Sequence, residues 1–267
     1  MTTLAPLMAG KRGVVLGVAN DRSIAWGIAR TLAGHGAELA FTYQGDSFER
    51  RVRPLAEQLG AGLVLPCDVS SDAEIEALFA AVGKAWGGLD FVVHSLAYSE
   101  KEELQGRYSD TSRANFARTM DISCYSFTAV AKRAAALMTN GGAMITLTYS
   151  GAERVMPFYN VMGVAKAALE ASVRYLAVDL GPQGVRVNAL SAGPVRTLAG
   201  SAIGGARQTF RWTEQHSPLR RNVSLEELGG AALYLLSDLS HAVTGEVHHV
   251  DSGYNIVSVP GLPDEAG

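Results

Sequence analysis

The sequence alternates short apolar runs with longer amphipathic segments along nearly its whole length. The apolar runs have the length of buried strands and occupy residues 13–17, 38–43, 62–67, 89–94, 143–148, 185–190 and 246–250. Helical periodicity fills the intervals at residues 24–33, 46–59, 71–86, 111–138, 159–180 and 225–236. Strands separated by helices form right-handed βαβ units, so this order predicts a mostly parallel sheet covered on both faces.

Length and composition indicate one folded domain. The chain has 267 residues, of which 48% are hydrophobic and 18% charged, a balance that supports a large core. No repeat, low-complexity stretch or linker rich in Pro, Gly and Ser divides it. We therefore expect an α/β fold over residues 1–267: a single-domain, Rossmann-type, doubly wound parallel seven-stranded sheet with helices on both faces. The least regular stretches should be residues 98–110 and 194–218.

Charge and residue spacing argue against several classes of function. The formal net charge of −3 gives no general attraction to nucleic acid or to an anionic membrane. The six histidines do not cluster with metal-ligand spacing, so we expect no bound metal. Cys67 and Cys124 lie in apolar stretches and should be reduced packing residues. Neither a signal peptide nor a membrane span is recognisable, which predicts a cytoplasmic protein.

Tyr159 and Lys166 stand seven residues apart. This is about two helical turns, so their side chains should project from one helix face. A fixed cation beside a phenol can hold a ligand and stabilise the ionised or hydrogen-bonding state of that phenol. The spacing alone also fits a packing tyrosine and a surface lysine that share a stripe. The pair is therefore a candidate catalytic site, and the rest of the chain must decide between the two interpretations.

The turn after the first strand has features of a phosphate-binding site. It joins a strand to a helix, which is where a nucleotide pyrophosphate meets a helix N-terminus. Gly17 can make the turn, Ser23 can cap the helix and donate to a phosphate, and Gly27 permits close helix–sheet packing. The usual Gly-x-Gly-x-x-Gly spacing is absent, and a plain structural turn would look similar.

The ends of the second and third strands carry candidate nucleotide ligands. Gln44 follows the second strand, where a dinucleotide-binding fold places a group on the adenosine ribose. Its neutral amide offers no cation for a 2′-phosphate, which favours NADH over NADPH. Asp68 ends the third strand and suits the adenine amino group, although with Ser70 and Ser71 it also reads as a helix-capping turn.

Several later motifs resemble the short-chain dehydrogenase/reductase superfamily. They are Val185-Arg-Val-Asn188, Ala192-Gly193-Pro194 and Gly245-Glu-Val-His-His-Val250-Asp-Ser-Gly253. Most members of that superfamily carry a Tyr four residues before the Lys and a Ser further upstream. Here those positions hold Met162 and Tyr149, and the tyrosine lies seven residues before the lysine instead.

The displaced tyrosine is similar to that of one branch, the bacterial enoyl-[acyl-carrier-protein] reductases. Further matches to that branch lie at residues 17–19, 23–25, 41–44, 121–127, 151–154, 159–163 and 191–198. Several independent motifs in the same order make a chance match negligible.

This resemblance implies an NADH-dependent enzyme that reduces the C2–C3 double bond of trans-2-enoyl thioesters on acyl-carrier protein in fatty-acid elongation. It also implies a homotetramer, a cofactor half at about residues 10–150 and a substrate flap at about residues 194–218. Tyr159 would face the enolate oxygen and Lys166 would bind the nicotinamide ribose. Tyr149 would orient the acyl chain or a water, or would be purely structural.

Position by position, the resemblance implies two sets of binding residues. The cofactor set is Gly17, Ser23, Ile24, Gln44, Asp68, Val69, Ser95, Leu96, Lys166, Val195, Arg196, Thr197, Leu198 and Ala199. The substrate set is Ala97, Ser99, Tyr149, Tyr159, Met162 and Ile203.

The chain departs from the family pattern beside the site. The family often has Ile-Gly after the His-Ser of the fourth strand, whereas residues 94–98 read His-Ser-Leu-Ala-Tyr, which bears on substrate and inhibitor preference. Ala206 stands where some members carry an aromatic residue, which predicts a roomier acyl pocket. Arg207 and Arg211 are candidate docking residues for the acidic carrier protein, or solvated surface charges.

Two other functions are weighed against this one. A carbonyl reductase of the same superfamily would act on ketones or alcohols and would want a Tyr at position 162, where Met162 cannot donate a proton. A nucleotide-binding regulator without catalysis would have no need of Tyr149, Tyr159 and Lys166 together.

Overall fold

One parallel sheet organises the chain. The computed structural model describes residues 6–197 and 205–258. In this part of the chain, strands β1 to β7 pair in the order β3-β2-β1-β4-β5-β6-β7, all in parallel. In chain order the strands are Arg12–Leu16, Glu38–Tyr43, Leu63–Pro66, Phe91–His94, Gly142–Thr148, Val185–Ala192 and Val247–Val250. The α/β class and the seven parallel strands are confirmed, with strand ends within one or two residues of the predicted ones.

Helices cover both faces of the sheet. Helices α1 to α8 are, in chain order, Ile24–Gly34, Gly45–Gln58, Asp72–Trp86, Arg113–Met120, Ser126–Ala135, Asn160–Leu180, Ala206–His216 and Leu225–Leu236. Apolar side chains of α3, α5 and α6 form one core cluster, and those of α1, α2 and α8 form the other. Successive side chains of β1 point to opposite faces, so Val14 joins the first cluster and Val15 the second. The doubly wound arrangement is therefore confirmed.

The helix predicted over residues 111–138 is interrupted. It divides into α4, a π-helical turn at Asp121–Tyr125 and α5. A π-helical turn holds more residues than an α-helical turn, so it changes the direction of the side chains within it. The apolar periodicity continues through the turn, and for this reason the sequence pattern did not reveal it.

The region predicted to be irregular at residues 194–218 contains α7, so that prediction was wrong for residues 206–216. Helix α7 begins after Gly205, which has a φ of 69°. Arg207, Arg211 and Trp212 on α7 are exposed, and a helix that buries so little has no broad apolar stripe to recognise. The stretch at residues 98–110 contains short 3₁₀ turns at Lys101–Leu104 and Tyr108–Asp110.

The carboxyl ends of the parallel strands meet along one edge of the sheet. The strand order reverses between the neighbours β1 and β4, and open α/β sheets bind ligands in the crevice outside such a reversal. Three of the predicted site residues, Leu198, Ala199 and Ile203, lie outside the described residues. Across residues 6–197 and 205–258, no helix is long and apolar enough to cross a membrane.

Candidate active site

Gln44 and Asp68 meet at the carboxyl ends of β2 and β3. The Gln44 amide nitrogen donates to Asp68 Oδ2 at 2.7 Å, and Ser70 donates to Oδ1 from its backbone N–H and its hydroxyl. Burial acts to raise the pKa of the Asp68 carboxyl, but the hydrogen bonds from Ser70 and Gln44 hold it below its ordinary value. Val69 packs half-buried against the core, and Ser71 rather than Asp68 caps α3. The two predicted adenosine ligands thus form one polar unit.

Gly17 makes the close turn that the sequence predicts. Its φ is 100°, and an added Cβ would lie 2.0 Å from the Ser95 carbonyl oxygen, so no side chain fits there. Ile24 opens α1 and packs half-buried against the core. The predicted helix–sheet contact of Gly27 is wrong: an added Cβ would lie 2.8 Å from Leu225 Cβ, so Gly27 permits close packing of α1 on the start of α8.

Ser23 does not cap α1, which corrects the prediction. Its side chain stands at the N-cap position without a capping bond. The Ser23 hydroxyl oxygen instead accepts hydrogen bonds from the backbone N–H groups of Ala19 at 3.0 Å and Asn20 at 3.1 Å. The long turn exposes backbone donors of its own, and Ser23 satisfies them from within the turn.

The loop after β4 carries three of the predicted residues. The Ser95 N–H donates to the Leu16 carbonyl at 3.1 Å, which fixes the start of the loop against β1. Leu96 packs half-buried on the core, whereas Ala97 is exposed. The loop therefore presents Ala97 at the carboxyl edge of the sheet.

Ser99 points toward α4. The Asn115 amide donates to Ser99 Oγ at 3.2 Å and the Thr119 hydroxyl donates to it at 3.0 Å. Asn115 and Thr119 are both buried. In the structure the Ser99 hydroxyl therefore holds its own loop to α4, and its predicted place beside the acyl group stays a prediction.

The segment after β6 carries Val195, Arg196 and Thr197. Val195 packs against the core on the α1 side of the sheet, and its carbonyl accepts from the Thr197 N–H at 2.9 Å. The Arg196 guanidinium lies over the ring of Phe210 on α7, 4.6 Å from its centre. This cation–π contact ties the segment after β6 to α7.

Lys166 on α6 is a buried cation, with 5% of its surface exposed. Its ammonium donates to the Leu147 carbonyl oxygen of β5 at 2.7 Å. Burial lowers the pKa of Lys166 to about 8, although Cys124 and Glu170 act in the opposite direction. Most of the ammonium is therefore still charged at neutral pH. An ammonium has three protons, so one can be held by Leu147 while others serve a ligand.

Tyr159 lies directly before the first residue of α6, where the prediction had it begin the helix. Its side chain is buried in a small apolar cluster with Leu104, Val161 and Met162. The rings of Tyr149 and Tyr159 meet edge to face, with centres 5.2 Å apart and planes at 71°. Burial raises the pKa of Tyr159, and Tyr149 and Glu170 raise it further. The phenol is therefore protonated at neutral pH and able to donate.

Tyr149 follows β5 directly and forms the other wall of this cluster. Burial raises the pKa of Tyr149 to about 12, so it too keeps its proton. Space for the Tyr159 ring depends on Gly151, where an added Cβ would lie 2.4 Å from the ring. The structure thus brings Tyr149, Tyr159 and Lys166 to the carboxyl end of β5 and the beginning of α6.

His94, the last residue of β4, has no role predicted from the sequence. The ring is fully buried, 3.0 Å from the Thr146 hydroxyl and 2.9 Å from the Ser126 hydroxyl. Burial lowers the pKa of His94 to about 3, and the charge of Lys166 contributes to the shift. Ser126 on the mostly apolar α5 was the available sign of a buried polar partner. That partner, His94, is 32 residues away in sequence, so the local pattern did not reveal it.

The arrangement suits the stabilisation of a negative charge on a substrate oxygen. A buried, protonated phenol and a buried ammonium supply a donor and a positive charge in a setting of low dielectric. A dinucleotide fits the same edge: Gly17 leaves room for close backbone approach, Gln44 and Asp68 offer polar groups at one end, and Lys166 offers donors at the other. Within the described residues, no cluster of His, Cys, Asp and Glu suits a metal ion.

Comparisons with known proteins identify the family of this chain. A family model described as "Enoyl-(Acyl carrier protein) reductase" matches residues 17–255. The chain is 64% identical to "Enoyl-[acyl-carrier-protein] reductase [NADH] 1" of Rhizobium meliloti, covering 97% of this chain and 95% of that protein.

Solved structures give the same result. A crystal structure of an enoyl-(acyl-carrier-protein) reductase from Anaplasma phagocytophilum in complex with NAD is 57% identical, with a TM-score of 0.94, and the match covers 97% of this chain and 99% of that one. The Bacillus cereus reductase, solved with NADP+ and indole naphthyridinone, is 52% identical with a TM-score of 0.93, over 95% of this chain and 99% of that one.

Because His94 is buried and neutral, we expect the free energy of unfolding to fall as the pH is lowered. The ordinary pKa of histidine, 6.5, is lowered to about 3 in the folded protein. The unfolded chain therefore takes up a proton below about pH 6.5 that the folded chain refuses, and folding loses about 2 kcal/mol by about pH 5. Urea unfolding of the wild type and of His94→Gln at several pH values measures this, since the variant should lack that part of the loss.

The exposed His241 serves as the control. Its side chain is 77% exposed, so His241→Gln should retain the wild-type dependence of stability on pH. Parallel curves for the wild type and His94→Gln would contradict the account of His94.

Proposed function

The chain belongs to the enoyl-(acyl carrier protein) reductase family, and we propose that Tyr159 and Lys166 carry that reaction here. The protein reduces the C2–C3 double bond of trans-2-enoyl thioesters on acyl-carrier protein with NADH, a step of fatty-acid synthesis. The observation that carries the proposal is the buried Lys166 ammonium, which donates to the Leu147 carbonyl of β5. Lys166 lies on α6, the helix that Tyr159 directly precedes.

Tyr159 acts on the substrate oxygen. When bound, NADH supplies the hydride that reduces C3 of the enoyl group. Negative charge would then develop on the thioester oxygen, and the Tyr159 phenol would donate a hydrogen bond to it until a proton from water reaches C2 and completes the reduction. Because that charge is absent from the ground state, the bond favours the transition state. The raised pKa of Tyr159 supports this role, since the phenol must keep its proton in order to donate.

Lys166 positions the cofactor and supports the developing charge. The Leu147 carbonyl accepts one proton of the ammonium, which fixes the nitrogen, and its other protons would bind the nicotinamide ribose hydroxyls. The positive charge also favours the anion that Tyr159 faces, and the low dielectric of the buried site strengthens that effect.

The cofactor end at β2 and β3 suits NADH. The neutral Gln44 amide and the Asp68 carboxylate can accept and donate hydrogen bonds with ribose hydroxyls and the adenine amino group. A 2′-phosphate in the same place would face the negative charge of Asp68. The remaining cofactor and substrate residues carried by the resemblance are proposed in the same sense, with Met162 as an apolar wall for the acyl chain.

Reduction of a ketone is the less favourable reading of this site. That chemistry needs a proton donor at the position of Met162, which is 6% exposed and packed in the apolar cluster beside Tyr159. A thioether donates no proton, so the site is arranged for a conjugated double bond.

Two substitutions separate the roles of the pair. Tyr159→Phe should lower kcat by about a hundredfold or more, the usual loss for one oxyanion donor, and leave the KM for NADH within about twofold. Lys166→Ala should lower kcat at least as far and also raise the KM for NADH. Steady-state kinetics with NADH and a crotonyl thioester measure both.

Matched controls exist on the same molecule. Tyr234 lies on α8 with 37% exposure and Lys84 lies exposed on α3, so Tyr234→Phe and Lys84→Ala should keep wild-type kinetics. An unchanged turnover number in Lys166→Ala would contradict its assignment.

We also propose that α7 takes part in docking the carrier. Arg207 and Arg211 are exposed, lie one helical turn apart and therefore share a face. An acidic carrier protein would be attracted to that face, and charge attraction of this kind mainly speeds encounter. The other reading is that both side chains are solvated surface charges.

Charge reversal distinguishes these readings. The double variant Arg207→Glu with Arg211→Glu should raise the KM for a carrier-linked enoyl thioester by about tenfold and leave the KM for the coenzyme A thioester unchanged. Lys84→Glu, a reversal on the distant α3, should leave both unchanged. Equal KM values for the carrier-linked substrate in the wild type and the double variant would favour the solvated reading.

The assembly and the location are proposals of the same kind. We infer a homotetramer, which the exposed Tyr175 and Val178 on α6 support, since apolar surface of this kind favours contact with another copy. We infer a cytoplasmic location, with which the buried free thiols of Cys67 and Cys124 agree.

A further inference from the structure

We propose that His94, held as one neutral tautomer, is a positioning residue. It positions both the Leu147 carbonyl that accepts from Lys166 and the loop beside the acyl group. This inference rests on the proposed function. His94, Thr146 and Ser126 are all fully buried. Polar side chains at such depth must satisfy one another, and a completed network fixes the elements that carry them.

The direction of each hydrogen bond follows from counting protons. The Ser126 hydroxyl has one proton and donates it to the Ile122 carbonyl at 2.7 Å. At its contact with His94, Ser126 Oγ must therefore accept, so His94 Nε2 carries the hydrogen. A neutral imidazole has only one N–H, which leaves Nδ1 as the acceptor of the Thr146 hydroxyl proton.

One arm of this network, the lysine arm, leads from His94 Nδ1 through Thr146 to Lys166. Thr146 is the residue of β5 that pairs with His94 of β4, and its side chain is held by Nδ1. The next residue, Leu147, supplies the carbonyl that accepts the Lys166 ammonium at 2.7 Å. A shift of Thr146 would therefore move the carbonyl on which Lys166 rests.

The other arm, the loop arm, leads from His94 Nε2 to the loop that carries Ala97. Ser126 accepts from Nε2 and holds the Ile122 carbonyl in the π-helical turn. In the same turn, Ser123 accepts from the Tyr98 N–H at 2.9 Å and donates to the Tyr98 carbonyl at 3.0 Å. The π-helical turn thus clamps the loop directly after Ala97.

The charge of His94 determines the direction of the hydrogen bond in the lysine arm. A protonated His94 would have two N–H groups, and one of them would face the Thr146 hydroxyl, which must then turn its proton elsewhere. It would also place a second positive charge near Lys166. Protonation of His94 would therefore reverse the hydrogen bond to Thr146 and change the lysine arm.

Two conservative substitutions test the arms separately without removing the ring from the core. Thr146→Val keeps the side-chain shape and removes the donor to Nδ1. It should lower kcat for a crotonyl thioester by about tenfold and raise the KM for NADH. Ser126→Ala removes the acceptor of Nε2–H; it should raise the KM for the crotonyl thioester by about tenfold and leave kcat within about twofold.

A buried serine in the same fold gives the control for a merely structural effect. Ser240 is 1% exposed and accepts from Arg186 at 2.8 Å, away from the strand ends that form the site. Ser240→Ala should lower the unfolding temperature and leave all kinetic constants of the folded enzyme unchanged. If Thr146→Val and Ser126→Ala behave as Ser240→Ala does, the positioning role is overturned.

The tautomer can be read in the wild type, independently of how any variant folds. Long-range ¹⁵N–¹H spectra of histidine-labelled protein should show His94 neutral and protonated at Nε2 throughout the pH range of activity. A ring protonated at Nδ1, or at both nitrogens, would overturn the proposal. Turnover of the wild type tests the proposed function itself, so the two failures are distinguishable.

Discussion

The buried ammonium of Lys166 is the constraint on which the rest of the site depends. A cation taken out of water costs several kcal/mol unless it is hydrogen-bonded, and here the Leu147 carbonyl accepts it at 2.7 Å. The lowered pKa of Lys166, about 8, shows that this compensation is partial. A ligand that brings further acceptors to the ammonium would complete this compensation. The desolvation cost of Lys166 therefore opposes folding of the free protein and favours ligand binding.

Burial also determines the charge state of the groups around Lys166. Burial raises the pKa of Tyr159 and Tyr149 and lowers that of His94, so all three are neutral at neutral pH. Glu170, whose carboxyl accepts from Thr148, has a raised pKa for the same first reason. Lys166 therefore holds its positive charge beside two neutral phenols and a neutral imidazole, an arrangement that stabilises an anion formed during the reaction.

Periodicity in the sequence was enough to predict the sheet, the strand ends and the helices other than α7, with α4 and α5 merged into one helix. The spacing of Tyr159 and Lys166, with the motifs around it, was enough to find the pair. The features that the sequence did not predict depend on hydrogen bonds that form only in the folded protein. The Ser23 hydroxyl accepts from the backbone N–H groups of Ala19 and Asn20 instead of capping its helix. The general preference of serine for the N-cap position does not predict which of these donors it will bind.

The same reason explains the other corrections. The buried position of His94 depends on Ser126 and Thr146, which lie 32 and 52 residues away. The π-helical turn at Asp121–Tyr125 bonds through Ser123 to Tyr98, 25 residues away. A local pattern records neither contact. Helix α7 buries little of its surface, so its apolar stripe is narrow and hard to recognise in the sequence. Gly27 was read correctly as a place of close approach, but the partner is α8 rather than the sheet.

The central claim is that this strand edge reduces a conjugated double bond with NADH. The most direct measurement is the loss of NADH absorbance with crotonyl and acetoacetyl thioesters of the same carrier, in parallel, with NADPH as a second cofactor. The account predicts rapid loss with the crotonyl thioester and NADH, and little with the acetoacetyl thioester. Turnover of the acetoacetyl thioester without turnover of the crotonyl thioester would contradict it.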